Sequence, residues 1–592
     1  MNNKKIKTMK SKSIIGVALA AIFTMGLTTS CEDMFNIESS RVIYEENHNL
    51  NSTADSAYTT TGILQCVREI ADRYVLLGEV RGDLVDINDL TKTSLRNLAE
   101  FNFEDDNEYL NIRDYYAVIN NCNYALAKMD TTLAHNNERV MIDEYAAILG
   151  IRAWTYTQLA INYGKVPYFT EPITTVADSE KEYPMLDIKE MAQELIPQLI
   201  PYIDYELPVF TEEQEQAYPI LQLVLADLYL WSGDYANAWE TYWDYMTTNK
   251  DFNLVYGEEN SLENFRGYMG MHGAATTAVQ TLNGVNTGST AAWFSYFSQL
   301  KSTTLGFENL SFITMESSSA NGKVSELANL FISLDNTHQL NASAYLKEIS
   351  GAQSYIKATV DKENKKTKNY TINVMAGGDQ RYKYYNVTRS TDGKTFDLYA
   401  KMGNASTSLT SGEINYITPQ INIYRRSIVY LRAAEALNAL AKEQGSDSLA
   451  VMSFNLLKDA YKVFFPKGHV LEEELQQAFI GVHGRGCGDV YLDTAVYVLK
   501  PNVIAQRLYN DPEQTVTFND TIDYIDELII DELAMESALE GNRFGDLIRF
   551  AERRGEPEFL AKRVASRKGK AHVDEDLYNK LMDKANWYLP IK

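Results

Sequence analysis

The chain has 592 residues, of which 45% are hydrophobic, so it can bury a large core. Its formal net charge of −25 at pH 7 argues against nucleic acid and anionic lipid as direct partners, because like charges repel. Beyond residue 30 there is no apolar run of the roughly 18 residues that a membrane-spanning helix needs, which argues against further spans.

The N-terminus has the three parts of a secretory signal peptide. Five lysines precede the apolar run 14–27, and the residues that follow, 28–30, are small and lead to Cys31. The run is too short for a membrane span, and a cysteine in this position is typical of a bacterial lipoprotein, whose acylated thiol becomes the mature N-terminus. Thr28 departs from the usual aliphatic residue, and translation from Met9 remains an alternative start.

We therefore predict three segments in the precursor. Residues 1–30 form a signal peptide that is removed, residues 31–53 form the acylated N-terminus and a polar tether, and residues 54–592 form a single domain. Removal of residues 1–30, which contain five lysines and no acidic residue, leaves a net charge of −30. The acidic pair at residues 32–33 resembles a tag for the outer face of the outer membrane.

Helical patterns follow in chain order. Ser52 and its neighbours predict a helix cap before an apolar periodicity that includes Ile63, Val67 and Ile70. Further helical stretches are expected at 115–129 and 524–550, and three segments, 144–162, 221–246 and 424–461, are predicted to be related helix pairs. The stretch 221–246 resembles a tetratricopeptide unit, with small and aromatic residues on two helices joined by a Gly-Asp-Tyr turn at 233–235. The sequence thus predicts a mainly α fold, in which tetratricopeptide-like helix pairs form a scaffold.

The segment 251–419 has a different composition. It is rich in Gly, Ser, Thr and Asn, and its short apolar or alternating runs, such as 311–315 and 370–374, are typical of strands. We predict a loop-rich insert with short strands and a few helices between the second and third helix pairs.

Signals for catalysis, metals and cofactors are weak in this sequence. The seven histidines form no metal motif, and no nucleophile elbow or phosphate loop occurs. The acidic segment 105–108 lacks a full calcium-loop spacing, which favours a solvated loop. Cys66, Cys122 and Cys487 are expected to be buried free thiols, although Cys66 and Cys122 could pair outside the cytoplasm. We predict no enzyme activity, no cofactor and no metal site. Because the chain has 80 carboxylates, a pair of catalytic carboxylates like that of a glycosidase can be neither located nor dismissed.

Several motifs, taken together and in order, resemble one family. They are VRGDL at 80–84, INNCN at 119–123, AWTY at 153–156 with GKVPY at 164–168, GDQR at 378–381, RSIVYLRAAEALN at 426–438, DELAME at 531–536 with EGNRFGDL at 540–547, and YLPI at 588–591. On these motifs the chain resembles the SusD/RagB-like outer-membrane nutrient-binding lipoproteins. The resemblance implies an α-fold containing tetratricopeptide units, nutrient binding at the cell surface, and a SusC-like TonB-dependent transporter that the lipoprotein covers as a lid.

Ligand residues vary with substrate in such proteins, so candidate contacts come from residue type and position. Aromatic residues can stack on sugar rings or peptide side chains, and Trp293 and Tyr296 lie in the polar insert. Arg81, Asp83 and Asn88, after the first helix, are possible polar partners, although a charge-paired scaffold is the default interpretation of Arg81 and Asp83. The residues at 540, 543, 546 and 549 have opposite charges at i,i+3 spacing and are expected to pair along one helix face.

The sequence leaves four functions open. The main hypothesis is capture of oligosaccharides at the cell surface and their delivery to the transporter. A peptide ligand in the same role is the first alternative, because the resemblance covers both substrate classes. A surface lipoprotein that hydrolyses glycans or peptides is the second, and a scaffold that binds only the transporter is a further possibility.

Overall fold

A computed structural model describes residues 50–208, 217–248, 309–360, 370–398, 420–464, 481–487 and 497–591, apart from short gaps within these ranges (51, 105, 137, 317–318, 321, 332, 335–336, 376–377, 380, 383–386, 392–393 and 459). The predicted signal peptide, Cys31, Trp293 and Tyr296 lie outside the described residues.

The described part is mainly helical, which confirms the predicted fold class. Its α-helices are α1 (Thr53–Glu79), α2 (Thr93–Ala99), α3 (Arg113–Lys128), α4 (Ile142–Tyr163), α5 (Val176–Ser179), α6 (Ile188–Leu199), α7 (Leu221–Ser232), α8 (Tyr235–Thr248), α9 (Leu327–Phe331), α10 (Ala344–Gly351), α11 (Arg426–Gln444), α12 (Asp447–Lys458), α13 (Tyr461–Phe464), α14 (Gly484–Cys487), α15 (Pro501–Tyr509), α16 (Phe518–Ser537), α17 (Arg543–Arg554), α18 (Pro557–Ala565) and α19 (Glu575–Leu581).

Short antiparallel strands accompany the helices. They are β1 (Val85–Ile87), β2 (Ala134–His135), β3 (Glu138–Arg139), β4 (Val166–Pro167), β5 (Met185–Leu186), β6 (Asn309–Thr314), β7 (Ser333–Leu334), β8 (Leu340–Ala342), β9 (Tyr355–Val360), β10 (Tyr370–Met375), β11 (Val387–Thr391), β12 (Lys394–Leu398) and β13 (Gln420–Arg425). The pairs are β1–β8, β2–β3, β4–β5, β6–β13 and β9–β10, and β7, β12 and β11 form a three-stranded sheet. β6 and β10 coincide with the strands expected at 311–315 and 370–374.

Successive helices pack into an α-solenoid. α3 packs on α4, α4 on α6, α6 on α7, α7 on α8, α8 on α11, and α11 on α12 and α16. Ala226 of α7 and Ala238 of α8 are fully buried, which lets these two helices approach closely. α11 is buried on all sides from Arg426 to Ala441, as expected for a central helix. The two helix pairs predicted at 221–246 and 424–461 are therefore confirmed, whereas 144–162 is one long helix.

Local signals place the helix ends. The Ser52 side chain accepts a hydrogen bond from the Asp55 backbone N–H and caps α1, as predicted. The stretch expected to be one helix at 524–550 is two helices, because the chain turns at Gly541 with a φ of +85°. Gly78 of α1 lies against this turn, where an added Cβ would be 1.8 Å from the Gly541 carbonyl oxygen. Within the described residues no helix is long and apolar enough to cross a membrane.

Candidate functional site

Buried ion pairs connect motifs from both halves of the chain, and we call this set of pairs the ion-pair spine. It consists of Arg381, Arg425, Arg543 and Arg549 with the carboxylates of Asp83, Asp379, Glu435, Glu532, Glu536, Glu540 and Asp546. All these side chains are at most 6% exposed. A buried charge is strongly destabilising without an oppositely charged partner. The distant segments that carry the two partners of each pair must therefore pack together.

Arg381 and Arg425 share one carboxylate at the centre of the spine. The Arg381 guanidinium lies 2.9 Å from both Glu532 and Glu536 of α16 and 2.6 Å from Asp379. Arg425, at the end of β13, contacts Glu536 at 3.0 Å and Glu540 at 2.6 Å. These bonds attach the strand-rich segment to α16.

The spine also determines the ionisation of Glu532. Burial opposes the charged form, but the contacts with Arg381 and His483 outweigh it and lower the pKa of the Glu532 carboxyl to about 2. The His483 Nδ1 lies 2.6 Å from Glu532, and its ring stacks on Tyr497 with centroids 3.7 Å apart. Glu532 is therefore ionised in neutral solution.

The i,i+3 pairing expected from residues 540 to 549 holds for one pair. Arg549 Nη2 lies 2.8 Å from Asp546 Oδ1. Arg543 instead pairs with Asp83 at 2.6 Å, and Glu540 pairs with Arg425. The turn at Gly541 takes Glu540 off the helix face, so most of the pairing is between distant segments.

Two of the expected polar ligand partners, Arg81 and Asp83, are fully buried. Arg81 donates hydrogen bonds to the carbonyls of Leu77 and Trp587, and its guanidinium lies 4.3 Å from the centre of the Phe544 ring. Burial lowers the pKa of Arg81 to about 9. With no exposed atom for a surface ligand to contact, we assign both residues to the scaffold, the default interpretation of the sequence.

Asn88, the third expected partner, is half-buried in a turn. Its side-chain amide donates to the His338 carbonyl at 3.0 Å, and its Oδ1 accepts from the Leu90 backbone N–H. These bonds join the loop after β1 to the segment before β8, and they occupy the groups that a ligand would need.

A second region, which we call the cleft, has the dimensions of a ligand site. It has a volume of about 370 Å³, within the range of roughly 300–1,000 Å³ typical of small-molecule pockets. Its walls come from the end of α4, the start of α6, the turn between α7 and α8, α17, and the C-terminal segment. The aromatic side chains that line it are Tyr163, Trp231, Tyr235 and Tyr588.

Two glycines shape the cleft. Gly164 ends α4 with a φ of +76°, and an added Cβ would lie 3.0 Å from Tyr588 Cγ. The Tyr588 ring thus lies close against the Gly164 backbone, in the lining of the cleft. Gly233, with a φ of +87°, makes the sharp turn between α7 and α8, on either side of which Trp231 and Tyr235 line the cleft.

Several polar atoms on the residues that line the cleft make no hydrogen bond to any described residue. They include Trp231 Nε1, the hydroxyls of Tyr235 and Tyr588, and Arg549 Nη1. Burial, followed by the charge of Glu552, raises the pKa of Tyr588 to about 12, so its hydroxyl keeps its proton in neutral solution. The cleft therefore offers aromatic rings together with open hydrogen-bond donors.

Most of the charges around the cleft are compensated by neighbours. Arg549 is bound by Glu435 and Asp546, Lys165 lies 3.0 Å from Glu190, and Glu552 lies 2.8 Å from Lys584. Arg553 contacts Glu435 and Asp526. Lys189 on the rim is exposed and forms no ion pair with the described part of the chain.

A small polar crevice adjoins the cleft, and Trp231 and Arg549 line both. Its volume is about 40 Å³, enough for about two or three water molecules. Arg432 Nε and Asp546 Oδ2 are buried in its wall without a hydrogen-bond partner among the described residues.

The sequence signalled the cleft only in part. Tyr235 and Tyr588 belong to motifs singled out for their fold, the Gly-Asp-Tyr turn and YLPI, but neither was proposed as a contact. An aromatic residue at the turn of a helix pair was the available signal. Groups of three or more His, Cys, Asp and Glu with the geometry of a metal site are absent from the residues that the structure places, and Cys66, Cys122 and Cys487 are free thiols.

Comparison with known proteins relates the C-terminal part of the chain to one family. Residues 318–592 match the model of the SusD family. A SusD superfamily protein from Bacteroides vulgatus ATCC 8482 superposes with a TM-score of 0.52 at 14% identity, over 92% of this chain and 96% of that one. No curated protein has significant sequence similarity to the chain.

Two similar structures carry descriptions of a ligand. A laminarin-binding SusD-like protein has a TM-score of 0.51 at 15% identity, over 92% of this chain and 96% of that one. A putative sugar-binding protein from Bacteroides vulgatus ATCC 8482 has a TM-score of 0.51 at 18% identity, over 85% and 88% of the two chains. At these identities the similarity establishes a shared fold.

Proposed function

We propose that this chain is a SusD/RagB-like, cell-surface nutrient-binding lipoprotein that captures oligosaccharides and delivers them to a SusC-like TonB-dependent outer-membrane transporter. The observation that carries the proposal is the match of residues 318–592 to the SusD family within a chain that has the SusD fold. The descriptions of a laminarin-binding and a sugar-binding relative support a glycan as the ligand.

The anchor in this proposal is Cys31. Acylation of its thiol after removal of residues 1–30 holds the protein on the outer membrane, and residues 31–53 tether the helical body. A chain of n residues reaches at most about 3.3–3.6 Å × n, so a tether of this length permits a lid movement of tens of ångströms. A Cys31→Ala protein is expected to leave the membrane fraction and to abolish normal uptake. Retention of the variant at the surface with normal uptake would contradict the anchor.

Ligand capture is tested by isothermal titration calorimetry of the purified mature chain. Neutral oligosaccharides, acidic oligosaccharides and peptides are titrated under the same conditions, and the products are analysed by chromatography. Saturable binding of an oligosaccharide without a change in its length is the expected result. Tighter binding of peptides would favour the peptide role, and shortened products would favour a surface hydrolase.

Delivery of the ligand is tested by identifying the transporter that binds the lipoprotein. A tagged lipoprotein purified from outer membranes is expected to bring down a TonB-dependent transporter, and deletion of that transporter should abolish uptake of the bound oligosaccharide. Copurification without any ligand affinity of the isolated lipoprotein would instead favour a pure scaffold.

The insert retains its proposed contribution to binding. Trp293 and Tyr296 remain proposed aromatic platforms for the ligand. A variant with Trp293→Ala and Tyr296→Ala is expected to bind the ligand more weakly, and an unchanged dissociation constant would remove both residues from the site.

A further inference from the structure

We propose that the cleft is a binding site for a short segment of an electrically neutral oligosaccharide. Resting on the function proposed above, the inference narrows its ligand class and assigns contacts to Trp231, Tyr235 and Tyr588, which sequence analysis did not choose. Three features of the described residues support it.

The first feature is the aromatic lining. A sugar ring presents apolar C–H faces and a rim of hydroxyls, and the side chains of Tyr and Trp present an apolar face with a polar edge. The Tyr588 ring lies against Gly164, and Tyr588 lines the cleft. This rigid backing holds the ring in place before a ligand arrives, so stacking costs little side-chain entropy.

The second feature is the set of open polar atoms. Trp231 Nε1, the hydroxyls of Tyr235 and Tyr588, and Arg549 Nη1 all lie on residues that line one cavity, and none is bonded to a described residue. Sugar hydroxyls both donate and accept hydrogen bonds, as tyrosine hydroxyls do. The cleft can therefore bond several hydroxyls of one or two neighbouring rings.

The third feature is charge. Arg549, Arg553 and Lys165 are each paired with carboxylates, which leaves Lys189 as the exposed cation on the rim without a pair among the described residues. The whole chain is strongly acidic. A polyanionic glycan would be repelled by the negative charge of the chain and would find few unpaired cations in the cleft. Binding of a neutral glycan has no such electrostatic cost.

Calorimetry with matched variants tests the site. The ligands are neutral glucan, xylan and mannan oligosaccharides, oligogalacturonates of the same length, and peptides. Tyr588→Ala should weaken binding of the neutral ligand about tenfold because an aromatic face is lost, and Tyr235→Phe about threefold because one hydrogen bond is lost. Lys189→Ala should change it less than about twofold. Tyr58→Ala, at a side chain that is 79% exposed on α1, is the matched control and should have no effect.

The outcomes separate the site from the function. The decisive variant carries both Tyr235→Ala and Tyr588→Ala and must have a native circular dichroism spectrum. If it binds neutral oligosaccharides as well as the wild-type chain does, the cleft is not the site, but the proposed function stands. If the wild-type chain binds no glycan, the proposed function itself is wrong. Tighter binding of oligogalacturonates, with a marked effect of Lys189→Ala, would overturn the neutral ligand class.

Discussion

The ion-pair spine and the cleft differ in whether their polar side chains have partners within the protein. In the spine, arginines and carboxylates are buried against each other, and Arg381 alone contacts three carboxylates. In the cleft, the donors of Trp231, Tyr235 and Tyr588 are left without a partner among the described residues. Polar groups that the protein satisfies itself stabilise the fold, and those it leaves open are available to a ligand.

Arg549 belongs to both regions and connects them. Its Nε and Nη2 bind Glu435, and Nη2 also binds Asp546, so two of its nitrogens serve the spine. Its guanidinium lies 5.2 Å from the centre of the Trp231 ring, in reach of a cation–π contact. The spine thereby holds the inner wall of the cleft in a fixed position.

The largest expected effect follows from breaking the spine. Arg381→Leu leaves Asp379, Glu532 and Glu536 buried without their shared cation, and the loss of one partner of a buried pair typically costs about 3–5 kcal/mol. We expect the free energy of unfolding, measured by chemical denaturation, to fall by about that amount. Lys165→Ala, at an exposed pair, is the control and should have little effect. Equal stability of the two variants would show that the spine is dispensable.

A smaller loss is expected where α1 meets the turn before α17. Gly78→Ala places a Cβ 1.8 Å from the Gly541 carbonyl oxygen, so the backbones must separate, at a cost of about 1–3 kcal/mol or more. Gly62→Ala, in the same helix, meets no atom within 4 Å and should stabilise by up to about 1 kcal/mol. Thermal unfolding of both variants measures the contrast, and a stabilised Gly78→Ala protein would refute the close approach.

Acid should weaken the spine. The pKa of Glu532 is lowered from 4.5 to about 2 in the folded protein, so its stabilising contribution is complete above about pH 5 and is lost as the pH falls towards 2. Urea denaturation at a series of pH values should show this loss, and the slope should be shallower in Glu532→Gln. An identical slope in the variant would assign the acid sensitivity to other carboxylates.

The smallest expected effect is the response of ligand binding to alkali. Since burial raises the pKa of Tyr588 to about 12, its hydroxyl stays protonated well above the ordinary pKa of tyrosine, near 10. The dissociation constant of a neutral oligosaccharide should therefore stay constant between about pH 7 and pH 10. A tenfold loss of affinity within this range would mean that an ionising group contacts the ligand.

Sequence patterns predicted the fold better than the cleft, for a physical reason. Helix periodicity, the Ser52 cap and the Gly-Asp-Tyr turn are local signals, and the structure has each of them. The break at Gly541 was missed because one glycine with positive φ is not distinguishable from a helical glycine by periodicity. The partners of Arg543 and Arg425 lie 460 and 115 residues away, beyond any local spacing rule.

The cleft was harder still to predict. Tyr163 and Tyr588 line the same wall but are separated by most of the chain, and they meet only because α4, α7 and α17 pack together. Which tyrosines keep an open hydroxyl depends on that packing, and composition alone gave 39 candidates. The proposals for Trp293 and Tyr296 rest on residue type in the insert, and they remain predictions.

The most direct test of the contrast between the two regions is a crystal structure of the mature chain with the tightest neutral oligosaccharide from the calorimetric panel. We expect a sugar ring against Tyr588, hydroxyls bonded to Tyr235 and to Arg549 Nη1, and an ion-pair spine unchanged from the free protein. An oligosaccharide bound elsewhere, with the cleft unoccupied, would contradict the account.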